Sequence, residues 1–241
     1  MEVNVVLGQL PHCVKASTRI LGLNADFMQE NLPLYVEAAK LTLHMAVLGI
    51  VFAIIVGLVC SMVRYFKVPV LGQIAGCYIE LSRNTPLLIQ LYFLYFGLPK
   101  LGIVLSSESC AVIGLAFLGG SYMAEAFRSG LDNVPGIQVE SAMSLGMKKS
   151  LIFTHIILPQ AVSNSIPAFC ANIIFMIKET SVFSAVALAD LMFVTKDLIG
   201  MNYNTDEALF MLVIAYLIIL LPISVICTFV ERKVRYAEYG V

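Results

Sequence analysis

The sequence predicts an all-α, polytopic membrane protein, and composition is the first observation behind that prediction. Of the 241 residues, 59% are hydrophobic and only 13% are charged, with a mean hydropathy of +0.89. Ordinary soluble domains carry about 25% charged residues. The second observation is a series of apolar runs of about 20 residues, the length that a helix needs to cross a bilayer. Because lipid offers no hydrogen bonds to the backbone, these runs are expected to be helices.

The apolar runs predict about five transmembrane helices. The fourth run is too long for one straight span, and we expect Pro159 and Pro167 to break or kink it. The second run contains Glu80, Arg83 and Pro86, and irregular backbone is expected before this proline. The predicted spans are Leu34–Val63, Leu71–Leu98, Ser109–Phe127, Leu151–Leu188 and Ala208–Val230.

The positions of lysine and arginine predict the side of the membrane on which each loop lies, because basic residues are enriched in cytoplasmic loops. With five spans, the loops after spans one and three and the C-terminal tail carry eight basic residues, against four on the opposite side. We therefore expect residues 1–33 to be an extracytoplasmic N-terminal segment, loosely amphipathic over residues 13–29. Residues 34–241 are expected to form the transmembrane domain, with a cytoplasmic C-terminus.

One predicted cytoplasmic loop, at about residues 137–150, contains small residues and two lysines instead of a long apolar run. The sequence from Val139 to Leu145 predicts a short helix, which needs packing against another surface because so short a helix is unstable alone in water. Its small side chains allow close approach of a partner, and its methionine and leucine offer adaptable apolar contact. Gly146 is expected to end the helix in the left-handed conformation.

The same loop carries a spaced motif. It reads Glu-Ser-Ala from Glu140, then three residues, Gly146, nine residues, Ile156, one residue, and Leu-Pro. This spacing resembles the cytoplasmic coupling motif of bacterial ABC importer permeases, and it departs from that motif only at Ser141, where the family has alanine. Three further segments resemble permeases of the polar amino-acid uptake family: YIELSRNTPLLIQLYFLYFGLP, AFLGGSYMAEAFRSGLDNVP and IKETSVFSAVAL. With the coupling motif, the similarity runs from about residue 34 to the end.

The resemblance implies a type I ABC importer permease fold, with residues 34–241 as the permease domain, in the bacterial inner (cytoplasmic) membrane. It implies several partners: a second permease subunit, identical or homologous, a dimer of cytoplasmic ABC ATPases, and an extracytoplasmic amino-acid-binding protein. ATP and Mg would be bound by the ATPase, so we expect no cofactor and no enzymatic activity in this chain. The residues assigned by resemblance to ATPase coupling are Glu140, Ser141, Ala142, Met143, Leu145 and Gly146.

Ionisable residues at membrane depth are the candidates for substrate binding, because they are costly there without a function. A zwitterionic amino acid needs an acceptor for its ammonium group, such as Glu80 or Glu179, and donors for its carboxylate, such as Arg83. Structural alternatives stay open: Glu80 with Arg83, and Glu125 with Arg128, are spaced three apart and can form ion pairs that only fix packing. The full candidate set is Glu80, Arg83, Asn84, Thr85, Lys178, Glu179, Thr180 and Ser181.

Other chemistry has no signal in the sequence. There is no P-loop, nucleophile elbow or HExxH pattern, and the six cysteines and three histidines form no metal or disulfide pattern. The net charge of −1 predicts no nucleic-acid partner. Three competing functions stay open: an ABC permease for another small solute, an ion-driven secondary carrier and a non-transporting membrane scaffold. An aromatic run predicts an interfacial belt or an outer gate: Tyr92, Phe93, Tyr95 and Phe96.

Overall fold

The computed structural model describes residues 22–239, with side chains for residues 22–234. All elements in this part of the chain are helical, which confirms the predicted all-α class. Four segments are long and apolar enough to cross a membrane: Ala25–Tyr65, Ser107–Asp132, Lys149–Val186 and Thr205–Val234. The α-helices are α1 (Ala25–Tyr65), α2 (Leu71–Arg83), α3 (Leu87–Tyr92), α4 (Ser107–Asp132), α5 (Gly136–Ser144), α6 (Lys149–Ile152), α7 (Leu158–Glu179), α8 (Leu191–Asn202) and α9 (Thr205–Tyr239).

Helix α1 is longer than the predicted first span. It has 41 residues, which at a rise of about 1.5 Å each make it about 60 Å long, roughly twice the thickness of a bilayer's hydrocarbon core. Asn24 caps its start, because the side-chain oxygen accepts hydrogen bonds from the backbone N–H groups of Asp26 and Phe27. The helix therefore begins nine residues before the predicted start of the first span at Leu34, and the predicted boundary at residue 33 falls inside α1. Residues 1–21 lie outside the described part.

Small residues let α1 pack closely against α4. Gly49, Ala53 and Gly57 lie four residues apart on one face of α1, a pattern that allows membrane helices to approach each other. A Cβ atom added at Gly57 would lie only 2.5 Å from the Cβ of Met123 on α4. Of the most apolar stretch of α4, 67% is buried inside the fold. Helix α4 is therefore the central helix against which α1, α2, α3 and α7 pack.

The second predicted span, Leu71–Leu98, is two short helices rather than one. Helices α2 and α3 are separated by three residues that end at Pro86, so the irregular backbone predicted before this proline is confirmed. The side-chain amide of Gln90 donates hydrogen bonds to the carbonyls of Ser82 and Thr85, at 3.2 and 3.0 Å. Two carbonyls at the break are thereby hydrogen-bonded, which lowers the cost of irregular backbone in this position. A π turn (Phe93–Gly97) and a 3-10 turn (Leu98–Leu101) follow α3.

The fourth predicted span is helical from Lys149 to Val186. A π turn, Phe153–Ile157, joins α6 to α7 directly before Pro159, and this wider turn accommodates the proline ring, which clashes with the preceding turn of a regular α-helix. Helix α7 continues through Pro167 without a break. After Glu179 the helix tightens into a 3-10 turn, Thr180–Val186.

Hydrogen bonds tie the first part of α1 to α8 and α9. The Tyr35 hydroxyl donates to the Ala208 carbonyl at 2.8 Å and lies 3.0 Å from the Thr195 hydroxyl. The Thr42 hydroxyl accepts a hydrogen bond from the Leu191 backbone N–H at 3.2 Å. These contacts fix the segment between the last two long helices against α1.

Asp190 caps α8 from a fully buried position between the membrane-spanning segments. Its Oδ1 accepts a hydrogen bond from the Phe193 backbone N–H at 2.9 Å, whereas its Oδ2 has no hydrogen-bond partner among the atoms that the structure describes. Burial raises the pKa of the Asp190 carboxyl from 3.8 to about 6, and the backbone hydrogen bonds and Lys196 only partly offset this effect.

Candidate functional site

The predicted coupling helix is α5, Gly136–Ser144, which begins three residues before the predicted start at Val139. It ends as the sequence predicts, because Gly146 has a left-handed φ of +76°. The Gly146 backbone N–H donates to the Met143 carbonyl at 2.9 Å, which closes the last turn.

Helix α5 is held to its own chain by one face and leaves the other free. Ala142 is 3% exposed and packs in an apolar cluster with Leu131 of α4 and Ile157 of the π turn. Leu145 is 83% exposed. The remaining residues predicted to couple to the ATPase are also exposed: Glu140, Ser141, Met143 and Gly146.

A groove of about 470 Å³ runs beside the coupling helix. Its walls come from α5, the π turn and the start of α7, and the Gln160 side-chain amide donates to the Gln138 side-chain oxygen at 2.6 Å across it. The groove is mostly apolar with a polar rim, a surface suited to receive a protein partner. Its lining residues are Ile137, Gln138, Ser141, Ala142, Leu145, Met147, His155, Ile156 and Gln160.

A second cavity, of about 510 Å³, lies at the break between α2 and α3. It brings together four of the eight predicted substrate residues, Arg83, Asn84 and Thr85 from the break and Glu179 from the end of α7. An acid and a base from distant parts of the sequence thus share one cavity. The other lining residues are Pro86, Leu87, Leu88, Leu118, Tyr122, Phe175 and Val182.

The other four predicted substrate residues do not line this cavity. Glu80 is exposed, and its carboxylate accepts a hydrogen bond from the Asn84 side-chain amide at 3.4 Å. Thr180 is fully buried, and its hydroxyl donates to the Ile177 carbonyl at 2.7 Å. Lys178 is exposed and Ser181 is half-buried. Among residues 178–181, Glu179 lines the cavity and its three neighbours do not.

The ion pair expected between Glu80 and Arg83 does not form among the described side chains, because Arg83 contacts Glu125 instead, with 3.8 Å between Nη1 and Oε2. Glu125 also forms ion pairs with two other arginines. Its Oε1 lies 3.0 Å from Nη1 of Arg64, and its Oε2 lies 2.8 Å from Nη2 of Arg128. The predicted pair of Glu125 with Arg128 is therefore confirmed, within a larger network. We call the five residues of this network the Glu125 cluster: Arg64, Arg83, Glu125, Arg128 and Asp132.

Arg83 belongs both to the cavity and to the Glu125 cluster. Its guanidinium carbon lies 5.4 Å from the centre of the Tyr122 ring, within the range of a cation–π contact. Sequence reasoning missed this arrangement because spacing rules detect partners only within one helix. The available signal in the sequence was an arginine near the end of each of three helices, Arg64, Arg83 and Arg128.

The aromatic residues of the second predicted span follow the cavity in the chain. Tyr95 and Phe96 pack edge to face, with ring centroids 4.9 Å apart, and Tyr92 packs on Phe96 at 5.5 Å. Phe93 is 60% exposed. Their role as an interfacial belt or as an outer gate stays a prediction.

Residues 45–236 match the family described as "Binding-protein-dependent transport system inner membrane component". The chain belongs to this family. It is a membrane-spanning permease subunit of an ABC importer, as the resemblance of its coupling motif predicts. The matched range includes the coupling helix, the groove beside it, the cavity and the Glu125 cluster.

Curated relatives and solved structures agree with this assignment. The chain is 34% identical to the probable amino-acid permease protein YxeN of Bacillus subtilis (strain 168), over 86% of this chain and 94% of the relative. It is 31% identical to the probable amino-acid ABC transporter permease protein PatM of Vibrio harveyi, over 90% and 99%. A crystal structure of an amino acid ABC transporter with histidines superposes with a TM-score of 0.81 at 30% identity, over 86% and 96% of the two chains.

Proposed function

We propose that this chain forms the translocation path of an ATP-driven importer for polar amino acids. The observation that carries the proposal is the cavity at the break between α2 and α3, where Arg83 and Glu179 provide opposite charges. An amino acid is a zwitterion, so a site that holds both of its charges at membrane depth needs one group of each sign. The cavity volume, about 510 Å³, lies in the usual range for small-molecule sites.

Each residue of the cavity has a role in this proposal. The Glu179 carboxylate accepts hydrogen bonds from the substrate ammonium group, and the Arg83 guanidinium donates to the substrate carboxylate. Asn84 and Thr85 lie on irregular backbone beside Arg83 and add polar groups at the cavity wall. Lipid-facing backbone does not adopt such conformations, but backbone that lines a polar cavity does.

The proposed coupling runs through α5. A dimer of cytoplasmic ATPases, which binds ATP and Mg, docks on the exposed face of α5 and in the adjacent groove, and its closure moves α5 relative to the cavity. The permease thus has two conformations, before and after this movement of α5. They differ in their contacts with the ATPases, and this difference supplies the coupling free energy. The chain itself binds no cofactor. It pairs with a second permease subunit in the bacterial inner membrane, and it receives substrate from an extracytoplasmic binding protein, with its N-terminus outside and its C-terminus in the cytoplasm.

Uptake by whole cells tests the substrate class. A strain without this gene is complemented with the wild type or a variant, and uptake is measured for a panel of labelled L-amino acids. We expect Glu179→Gln to reduce uptake at least tenfold, because about 1.4 kcal/mol of lost binding already corresponds to tenfold. Glu37→Gln is the matched control, since Glu37 is 73% exposed on α1 and pairs only with Lys40 in the described structure. Wild-type cells that take up none of the panel would exclude the amino-acid assignment.

Photo-crosslinking tests the coupling assignment in the same strain. A photoreactive residue in place of Leu145 is expected to crosslink to an ATPase. The same residue in place of Leu101, which is 73% exposed and lies after the second predicted span, on the predicted extracytoplasmic side, is not. Uptake that survives ATP depletion but stops when the ion gradients collapse would instead identify an ion-driven carrier.

A further inference from the structure

We propose that the Glu125 cluster is a lock between the cavity and the coupling helix, in which Arg83 exchanges Glu125 for the carboxylate of a bound substrate. The inference rests on the proposed function, because it takes an amino acid as the occupant of the cavity. It adds Glu125, Arg64 and Arg128 as positioning residues, which act on the substrate only through Arg83.

The position of the cluster along α4 supports this role. Leu118 and Tyr122 line the cavity, Glu125 follows on the same helix, and α4 ends at Asp132, four residues before the start of α5. With a rise of about 1.5 Å per residue, Glu125 lies about 5 Å past Tyr122 and about 10 Å before the end of α4. The Glu125 cluster therefore lies between the cavity and the coupling helix.

The contacts within the cluster are unequal, and Arg83 has the weakest. Arg64 is alone on Oε1 of Glu125, at 3.0 Å. Arg128 holds Oε2 with two nitrogens, at 2.8 and 3.0 Å, and also holds Asp132 at 2.7 Å. Arg83 shares Oε2 with Arg128 and lies 3.8 Å from it, beyond hydrogen-bond distance. Arg83 is thus the arginine that leaves Glu125 at the lowest cost.

The charges of the cluster also favour the release of Arg83. Three arginines face two carboxylates, those of Glu125 and Asp132, so the intact cluster has one excess positive charge. Without Arg83, the charges of the remaining two arginines and two carboxylates sum to zero. A substrate carboxylate in the cavity would balance Arg83 in turn, so that each group keeps a partner of opposite charge in both states.

The exchange connects substrate occupancy with the coupling helix. Arg83 is the last residue of α2 and Glu125 lies on α4, so their contact joins the break at the cavity to the helix that leads into α5. A substrate that draws Arg83 away loosens this link, and by reciprocity a movement of α4 that strengthens the link lowers the affinity for substrate.

Equilibrium binding to the purified permease–ATPase complex, without binding protein, tests the lock. The ligand is the labelled L-amino acid with the highest uptake in the panel, and its methyl ester serves as a probe without a carboxylate charge. We expect Glu125→Gln to lower the Kd three- to tenfold, because Arg83 loses its competing acid. We expect Arg128→Gln to raise the Kd by a similar factor, because Arg83 then has Oε2 of Glu125 to itself. Binding of the ester should not respond to either change.

Opposite signs for the two variants distinguish a lock from a structural network, which would weaken binding in both variants. Changes of Kd in the same direction, or no change, would overturn the lock. If Glu125→Gln fails to assemble, Arg128→Gln with the ester control decides alone: a raised Kd for the amino acid only supports the lock, and any other result overturns it. A wild-type complex that binds no amino acid of the panel refutes the proposed function itself. Glu37→Gln is again the control, with an unchanged Kd.

Discussion

Asp190→Asn is expected to stabilise the protein at neutral pH and to leave its stability unchanged in acid. The Asp190 side chain is fully buried, and its Oδ2 lacks a partner in the described structure. Burial raises its pKa from 3.8 to about 6, so the folded protein holds this proton more tightly than the unfolded chain. The stability gained from the bound proton is therefore complete below about pH 4 and is lost as the pH rises through about 6.

The pKa values give the magnitude. The difference between 3.8 and about 6 corresponds to about 3 kcal/mol above pH 7, at about 1.4 kcal/mol per pKa unit. Asparagine avoids this cost because it carries no charge. It also keeps the cap of α8, since its side-chain oxygen accepts the hydrogen bond of the Phe193 backbone N–H as well as a carboxylate does.

Heat denaturation of the purified complex in detergent, followed as the monodisperse fraction in size-exclusion chromatography, measures the effect between about pH 4.5 and pH 8. We expect the variant to exceed the wild type in stability by a margin that grows with pH and is smallest at the acid limit. Asp197→Asn, at an exposed site on the same helix, should show no such margin. A variant no more stable than the wild type at pH 7.5 would refute the reasoning, because the carboxylate would then have a partner or water.

Three further changes test the packing and the cavity. Gly57→Val should remove most of the assembled complex from the membrane, since its Cβ would lie 2.5 Å from the Cβ of Met123; immunoblotting of membranes measures this loss. Tyr35→Phe should destabilise the complex by about 1–3 kcal/mol, because the Ala208 carbonyl loses the donor that it has at 2.8 Å; the heat-denaturation assay reports it. Pro86→Ala restores a backbone N–H and favours continuation of α2 into α3, so we expect the equilibrium binding assay to show weaker amino-acid binding, with the complex still assembled.

The helices were predictable from the sequence where hydropathy or a proline decides the structure. Pro86 disfavours helical backbone at the residue before it, and the break between α2 and α3 is found there. The start of α1 was missed because a hydropathy window responds to the apolar stretch that crosses lipid, whereas residues 25–33 include several polar side chains. The cap at Asn24 was the better signal, because a cap marks the first turn of a helix whether or not that turn lies in the membrane.

The candidate site was predictable only in part, because partner choice depends on tertiary structure. The i,i+3 spacing predicts both pairs, Glu80 with Arg83 and Glu125 with Arg128, and only the second forms. Glu125 is 21% exposed in its side chain, so its carboxylate has lost most of its water and gains more from each arginine than the exposed Glu80 does. Arg83 therefore contacts Glu125 on another helix rather than Glu80 on its own helix.

The Glu125 cluster also lies where two states of the fold can differ. The contact of α1 with α4 passes through glycines with no space for a methyl group, and such close packing does not deform gradually. At the break before α3, by contrast, Asn84 and Pro86 are exposed, and hydrogen bonds from Gln90 hold the carbonyls of Ser82 and Thr85. Arg64 anchors the cluster to α1 and Arg83 anchors it to the end of α2. A change of one ion-pair partner therefore moves the break relative to a fixed pair of helices, at a cost in the range of about 1–3 kcal/mol that couples sites in proteins.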